Sequence, residues 1–595
     1  MTCIGDFLIT FKADRKSFPA RQASSPWAPA EEAGEWRVWL QPADQSWKGY
    51  PFRSVSGEGW RIWLLGEIFG LPGTDPQVED FLREVACGRQ QPEKLNGHFL
   101  LFAWEEASRQ WQVWTDRFGT LHAYYATDGQ QASLGTFFPA VAAVASRRQL
   151  DWPALTGFFA FGFFPQDKTH FQDVRILRPA ERYVLDGQGN LLGGQRYWQW
   201  QHMPDRTRSY DDTVAEFAHL FKDVLEEQTR ESRIAIPISG GLDSRSTVAA
   251  ITARDAATPP PMHLWSYSYG YGDNSVETKI ARQVAEARGL PFRAWSIQPY
   301  LFEHLREILS CVEGFHDLTQ CRQASVVQEI ASQADYLLAA HWGDVWLDDM
   351  GLAGKDPGLT KNQHVLQHTL KKMAKTGDWL LARVARPHLG GEEPEFLLLK
   401  MVEEEMKKFD HIADPDFKVK AFKTDQWSHR WTTASLRMFQ AAAFPRLPFY
   451  DTRLTDFFCT VPSDFVAQRR LQIDYLKRFA PDLARIKWQV YDADLWWYRF
   501  FHTWLVPKRA AKKAWRLLTR KQITERNWEV QFLNPQGRQG LERWLCRPGL
   551  RLHDLIPLKD LSQLLDDFYQ QPVESKLGYT VCQLLTFSVW LEQFG

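Results

Sequence analysis

The sequence predicts two kinds of fold in one chain. The first part is α+β and dominated by strands, and the second is an α/β domain with a doubly wound parallel sheet and helical additions. Three observations carry this reading. Over residues 1–200, short aromatic and β-branched runs (FLITF, WRVWL, WRIWLLGEIF, HFLLFAW, WQVWTD, ERYVLDG) are separated by Gly, Asp, Asn and Pro, as strands and turns are. From about residue 211, strand-like runs alternate with helix-periodic ones, which implies βα units on a mostly parallel sheet. At 595 residues the chain exceeds a single core, and roughly 100–200 residues per domain suggests three or four units.

In order, DDTVAEFAHLFKDVLEEQTR has helical spacing and ends in a basic turn. RIAIPI reads as a strand, SGGLDS as a turn and RSTVAAITA as a helix. HLWSYSYG, VETKIARQVAEARGL and FRAWSI continue as strand, helix and strand, and ADYLLAAHWGD as a strand running into a loop. Residues 353–425 read as a helical insertion, so the second domain spans 211–500. Residues 501–595 form a helical C-terminal extension. Its stretch PKRAAKKAWRLLTRK (507–521) is densely basic around Trp515. It is either a solvated helix face or a docking element for an acidic substrate, a partner or a membrane surface.

Lys and Arg number 71 and Asp and Glu 72, a net charge of -1. That argues against a general nucleic-acid binder, which would be strongly basic. The cysteines Cys3, Cys87, Cys311, Cys321, Cys459, Cys546 and Cys582 are scattered and form no CxxC pair. A disulfide framework or zinc site is therefore not expected, and a reducing, cytoplasmic setting is. Neither a signal peptide nor an apolar run of about 18 residues is present. The 27 tryptophans read as aromatic core packing rather than a ligand-stacking surface.

The chemistry concentrates at Ser239-Gly240-Gly241-Leu242-Asp243-Ser244. Ligands of open α/β sheets bind outside the carboxyl ends of the strands, where this turn falls. Glycines let backbone N–H groups approach an anion, and the following helix N-terminus adds a favourable dipole. Ser239 and Ser244 add hydroxyl donors. The lysine of the GxxxxGK[ST] phosphate loop is missing. Such a loop suits a pyrophosphate-like group, and Asp243 beside phosphates implies a bridging Mg²⁺. Pro237, without a ladder donor, should end its strand.

SGGLDS resembles the pyrophosphate loop of the asparagine synthetase-like ATP pyrophosphatases, and further segments match in order. YSYGYGDNSVETKIARQVAEARGLPF (267–292) is similar to the strand and helix flanking the adenosine site, with Ser275 and Glu277 at the helix start. AAHWGDVWLDD (339–349) falls where the family has Ser-Gly-Glu-Gly-Ala-Asp-Glu. PRLPFYDTRL (445–454) and YLKRFAPDLARIKWQ (475–489) resemble two later family segments. The resemblance implies an adenine nucleotide α-hydrolase-like domain that binds ATP and Mg²⁺. Ser239, Gly240, Gly241, Leu242, Asp243, Ser244, Ser266 and Asp344 would hold the nucleotide, Asp243 and Asp344 the metal, and Arg485 and Lys487 would act near the leaving group. Arg245 stands where the synthetases usually have a small residue, and His341-Trp342 replaces the acidic, Gly-rich pair before Asp344. Both hint at a substrate other than free aspartate, and His341 either orients a substrate or is structural.

The first domain resembles a class II glutamine amidotransferase, which implies an Ntn-hydrolase-like β-sandwich over residues 1–200. GEIFG (66–70) and LNGHFLLFAWEEASRQWQVWTDRFGTLHAYY (95–125) carry the likeness. An active member needs an N-terminal cysteine whose own amine serves as base. Here Met1-Thr2-Cys3 leaves Cys3 internal, and Gly70 stands where an asparagine would donate to the oxyanion, a loss typically of about 10²–10³ in rate. The expectation is a glutaminase-inactive scaffold, with a Thr2 nucleophile as the alternative.

The resemblance thus implies an AMP-forming amide ligase acting on a small-molecule, glycan or peptide carboxylate, with nitrogen from ammonia or a substrate amine. Amidation in a surface-glycan or small-molecule pathway is the leading reading. A lasso-peptide or β-lactam-type macrolactam cyclase and a non-catalytic nucleotide-binding scaffold are the alternatives. A homodimer or a biosynthetic-complex partner is the expected assembly. An RNA-thiolating relative would need a basic domain, which the charge balance does not supply.

Overall fold

The first strand decides the shape of the N-terminal half. In the computed structural model, β1 (Thr2–Phe11) changes partners along its length. Thr2 to Ile4 pair with β4 (Tyr50–Gly57), while residues further along pair with β3 (Trp36–Pro42) on one side and β9 (Ala132–Gly135) on the other. The structure describes residues 2–595 apart from 13–17, 22–24, 72–74, 145–147, 231, 253–262, 273–274, 356–361, 502, 505, 508–525 and 571–576. The basic stretch 507–521 therefore lies outside the described residues, save for Pro507.

The remaining strands of this half are β2 (Ala28–Ala33), β5 (Trp60–Ile68), β6 (Gly97–Glu105), β7 (Gln110–Thr115), β8 (Tyr124–Thr127), β10 (Val174–Ile176), β11 (Glu181–Asp186) and β12 (Leu191–Arg196). All pair antiparallel in one 12-stranded sheet ordered β10-β8-β9-β1-β4-β5-β6-β7-β11-β12, with β3 and then β2 branching from β1. The expected sandwich is thus one curled sheet whose parts pack face to face. Trp36 of β3 meets Trp111 of β7 edge-on at 4.9 Å, and Trp63 of β5 stacks on Trp111 at 5.3 Å. In residues 1–200 every tryptophan is buried or half-buried, as core packing requires.

Three α-helices interrupt a region that reads as strands and turns, the short Phe138–Ala142 and two longer ones. Asp75–Ala86 lays Val78, Leu82 and Val85 against the other face of β5 and β6. Trp152–Phe161 is apolar all round and almost wholly buried. Its run FFAF carries no strand-or-helix signal of its own. The helix is set by its ends: the Asp151 carboxylate caps the Ala154 N–H, Pro153 fits the first turn, and Gly162 (φ 80°) closes it.

The second sheet is entirely parallel. It comprises β13 (Ile234–Pro237), β14 (Leu264–Tyr271), β15 (Phe292–Ile297), β16 (Tyr336–Leu338) and β17 (Phe444–Arg446), ordered β15-β14-β13-β16-β17. The order reverses between β13 and β16, which creates the crevice where doubly wound folds place their ligands. Between β16 and β17 the chain is helical, including Asn362–Met373, Pro394–Met406 and Pro415–Lys423, and the last of these runs on into a π-helical segment, Thr424–Thr432. The C-terminal residues do not stand apart. Helix Leu577–Phe594 stacks Trp590 on His170 at 3.9 Å and shares a core running from Ile4 to Leu591.

Candidate functional site

β13 is short and buried, and it ends at Pro237. The loop after it is self-braced. The Ser239 N–H donates to Ser244 Oγ (3.1 Å), and the Gly241 N–H donates to Ser239 Oγ (3.2 Å). Helix Asp243–Ile251 then starts behind Leu242, which offers no side-chain cap. Its first N–H groups therefore have no capping side chain, and Asp243 and Ser244 of this first turn line the crevice, an arrangement suited to an anion. Leu242 is buried and pins the turn from beneath.

The loop after β16 closes on this turn. A side chain at Gly343 would meet the Asp243 side chain at 3.0 Å, so the approach needs glycine. Trp342 is left-handed (φ 75°), a conformation costing about 1–2 kcal/mol for an L-residue. Compensating contacts hold it there: its indole N–H donates to Thr424 Oγ1 (3.1 Å), and Lys423 Nζ lies 5.3 Å from the ring. These loops bring Asp243 and Asp344 to one cavity of about 350 Å³, whose walls also include Ser239, Ser244, Tyr269 and His341.

Asp243 Oδ1 accepts from Arg469 Nη1 (3.0 Å) and Gln472 Nε2 (2.9 Å). Burial pushes the Asp243 carboxyl above its ordinary range; Arg469 opposes that shift and Asp344 adds to it. Arg469 also reaches Asp348 through Nε (3.4 Å). Its left-handed backbone (φ 64°) just ahead of helix Arg470–Phe479 aims it there. Burial disfavours the Arg469 charge, but Asp243, Asp344 and Asp348 outweigh it and raise its pKa. Neither Arg469 nor Gln472 stood out in the sequence, because no motif marks them. Asp243 and the exposed Asp344 both line the cavity, and two carboxylates are a donor set that fits Mg²⁺ completed by phosphate oxygens.

Other expected residues are placed differently. Ser266 is buried, its hydroxyl given to the Pro291 carbonyl (3.0 Å), and Ser268 lines the cavity instead. Gly240 is covered by the Gln489 side chain. Lys487 is two-thirds exposed and pairs with Asp492 at 3.6 Å, and Arg485 lies 5.7 Å from the Trp496 ring; neither lines the cavity. Arg245 corrects an expectation, because it does not face a substrate. Fully buried, it donates to the carbonyls of Ile486 (2.7 Å), Lys487 (2.9 Å) and Leu483 (3.3 Å). It latches the 483–487 segment to the loop's helix, and burial lowers its pKa to about 10. His341 does line the cavity, where burial holds the ring at about 4 and Asp344 pulls the other way.

Comparison with known proteins finds two domain models on this chain. The glutamine amidotransferase domain model matches residues 81–198 and the asparagine synthase model matches 216–408. The chain belongs to an asparagine synthetase-like family. Asparagine synthetase [glutamine-hydrolyzing] 3 of Bacillus subtilis (strain 168) is 29% identical over 185 residues, 31% of this chain and 30% of that protein. Asparagine synthetase [glutamine-hydrolyzing] 1 of the same organism is 23% identical over 247 residues, 41% and 38%. The matched region thus spans about a third of each relative's length. Glutamine phosphoribosylpyrophosphate amidotransferase from B. subtilis aligns over 49% of this chain and 60% of its own, at 11% identity and a TM-score of 0.18.

In this asparagine synthetase-like chain the amidotransferase motifs have structural partners. Glu67 of GEIFG forms a two-pronged pair with Arg446 (both 2.8 Å). Asn96 of LNGHF donates to Asp451 (2.9 Å) and accepts the Thr452 N–H (3.0 Å). His98 accepts the Leu447 N–H at Nε2 (3.0 Å). All three grip PRLPFYDTRL, whose Phe449 packs against Gly343. Thr2 and Cys3 are exposed strand residues opposite Phe52 and Pro51, partial burial raises the Cys3 thiol, and Gly70 occupies a left-handed turn (φ 71°).

Proposed function

We propose that the protein is an ATP-dependent ligase that forms an amide through an acyl-adenylate. The observation that carries this is the SGGLDS turn at the crevice between β13 and β16, with Asp243 and Asp344 turned to one cavity. Adenine nucleotide α-hydrolase-like and Ntn-hydrolase-like folds are the finer assignments that go with it. A substrate carboxylate oxygen attacks the α-phosphorus, the α–β anhydride bond breaks, and pyrophosphate leaves on the serine hydroxyls and helix amides. Mg²⁺ held by Asp243 and Asp344 would supply charge neutralisation. An amine then attacks the acyl carbon, the bond to AMP breaks, and the amine's proton passes to a base. His341 stands on the cavity wall, but a ring held at about 4 is a weak base for this proton, so its place there suits hydrogen-bonding a substrate better.

Nitrogen from ammonia or a substrate amine is favoured over glutamine, since Gly70 stands where the resemblance calls for an oxyanion-donating asparagine. Acidic glycans and small-molecule acids are the favoured acceptors, with peptide cyclisation next. The outward turn of Lys487 favours a second reading, a nucleotide-binding scaffold without turnover.

One assay separates these readings. Purified protein is given Mg-ATP, ammonia and pools of carboxylic acids, and AMP plus pyrophosphate is measured against ADP plus phosphate. Substrate-dependent AMP that disappears in Asp243→Ala supports the ligase. ADP plus phosphate rejects it, and ATP binding without turnover on any pool moves the scaffold ahead.

A further inference from the structure

Among the described tryptophans only Trp496, Trp497 and Trp504 are exposed, by 48%, 53% and 81%. All lie within nine residues of one another, in a chain whose other described indoles are buried or half-buried. Val490 (64%) and Val506 (43%) are exposed at either end of the same segment. Isolated exposed apolar residues are ordinary, but a concentration of indoles marks a contact surface.

The setting of these side chains is cationic. Arg485 and Lys477 lie 5.7 and 5.9 Å from the Trp496 ring, and Arg499 lies 4.9 Å from the Phe500 ring. Nearby carboxylates are engaged: Asp492 pairs with Lys487, and Asp474 with Lys477 and Arg470. In sequence the segment continues directly into PKRAAKKAWRLLTRK, which has no acidic residue. Beneath the exposed rings the segment is anchored, with Tyr491 stacked on Phe501 at 4.2 Å and Leu495 buried. The indoles are therefore held outward by structure.

We infer that this segment seats the protein on an anionic phospholipid surface. Indole rings favour the boundary between headgroups and acyl chains, because one edge is apolar and the N–H stays wet. Neighbouring Lys and Arg add attraction to anionic headgroups that salt screens. A protein partner with an acidic rim would match the same charge, and the vesicle test below separates it from a lipid surface. The proposed attachment is peripheral and reversible, through side chains at the surface; the described residues contain no helix long and apolar enough to cross a membrane. The same segment touches the nucleotide loop, through Gln489 over Gly240 and Arg245 on the carbonyls of 486 and 487. A carboxylate substrate carried on a lipid would then meet the enzyme where it is bound.

The test is vesicle co-sedimentation of the full-length protein. Phosphatidylcholine vesicles are compared with phosphatidylcholine–phosphatidylglycerol vesicles, at low and high salt. The expected result is partitioning about tenfold or more stronger on the anionic vesicles, weakened by salt. It should fall about tenfold in the variant Trp496→Ser/Trp497→Ser/Trp504→Ser while its thermal unfolding is unchanged. Should the triple variant misfold, Trp504→Ser alone carries the comparison. No partition to either vesicle, or equal partition of variant and wild type, overturns the inference. So does a dimer that the triple variant converts to monomer, which would give the patch to a second copy.

Discussion

Arg469 and Arg245 show how much one guanidinium decides at this site. Arg469 is the cation hydrogen-bonded to Asp243, so its removal leaves Asp243 beside Asp344 with Gln472 as its side-chain donor. In Arg469→Met the Asp243 carboxyl should rise further and become protonated at a higher pH. The acid limb of AMP formation should therefore shift toward higher pH, with kcat/KM about tenfold or more lower at neutral pH. Profiles of both proteins between about pH 5 and 9 check this, and an unshifted limb would remove Arg469 from the site. Arg245 acts through backbone alone, with three carbonyls on one buried fork. Leaving those acceptors without donors should cost about 2–4 kcal/mol in Arg245→Leu, read from urea denaturation. Lysine should not restore it, since an ammonium lacks the planar fork. Sequence pattern marks Arg245 as unusual but points it at a substrate, because position beside a ligand loop says nothing about which way a helical side chain turns.

At the scale of elements, the 445–454 segment connects the two halves. Glu67, Asn96 and His98 hold it from one side, and Phe449 meets Gly343 of the nucleotide crevice on the other. This gives a reason for amidotransferase motifs to persist without their nucleophile. Breaking a buried pair from one side costs about 3–5 kcal/mol, so Glu67→Gln should weaken ATP binding several-fold in a calorimetric titration although Glu67 lies outside the cavity. Thr2→Ala and Cys3→Ala should leave ammonia-dependent AMP formation unchanged; loss of activity in either would restore a role for the N-terminus. The parallel sheet and the loop were legible because strand–turn–helix alternation and SGGLDS are local signals. Helix Trp152–Phe161 was hidden in FFAF, although its Asp-x-Pro start and Gly162 end were on view. The union of β1 with β3, β4 and β9 in one curled sheet was not legible, since pairing across the chain leaves no local trace. The same holds for Arg469, which reaches Asp243 from 226 residues away.

At the scale of the whole molecule, the halves are fused by buried polar groups, and this predicts how the protein fails in acid. Arg21 pairs with Asp6 (2.6 Å) and with Glu313 (2.9 Å), and Arg437 pairs with Glu313 (2.6 Å), all essentially without exposure. Around these joints lie buried histidines: His98 and His316 are held at about 3 by burial, and His122 and His170 well below their ordinary value. A depressed folded-state pKa means that folded and unfolded chains bind equal protons above about pH 6.5, so these groups leave stability intact there. Below that pH the unfolded chain takes up protons the folded chain refuses, and stability falls until the folded pKa is reached. One unit below 6.5 a histidine held at about 3 costs about 1.4 kcal/mol, so His98 and His316 cost about 3 kcal/mol together, and His122 and His170 act in the same direction. That is a large share of a typical stability of about 5–15 kcal/mol. The melting temperature should therefore be nearly level from about pH 8 to 7 and drop steeply from 6.5 to 5.5, with several protons taken up on unfolding. His98 isolates one contribution. In His98→Gln the amide oxygen can still accept the Leu447 N–H, and the acid slope should lessen by about one proton while neutral-pH stability changes little. An unchanged slope would mean that His98 already binds its proton in the folded chain, and with both ring nitrogens then donors Nε2 could not accept the Leu447 N–H.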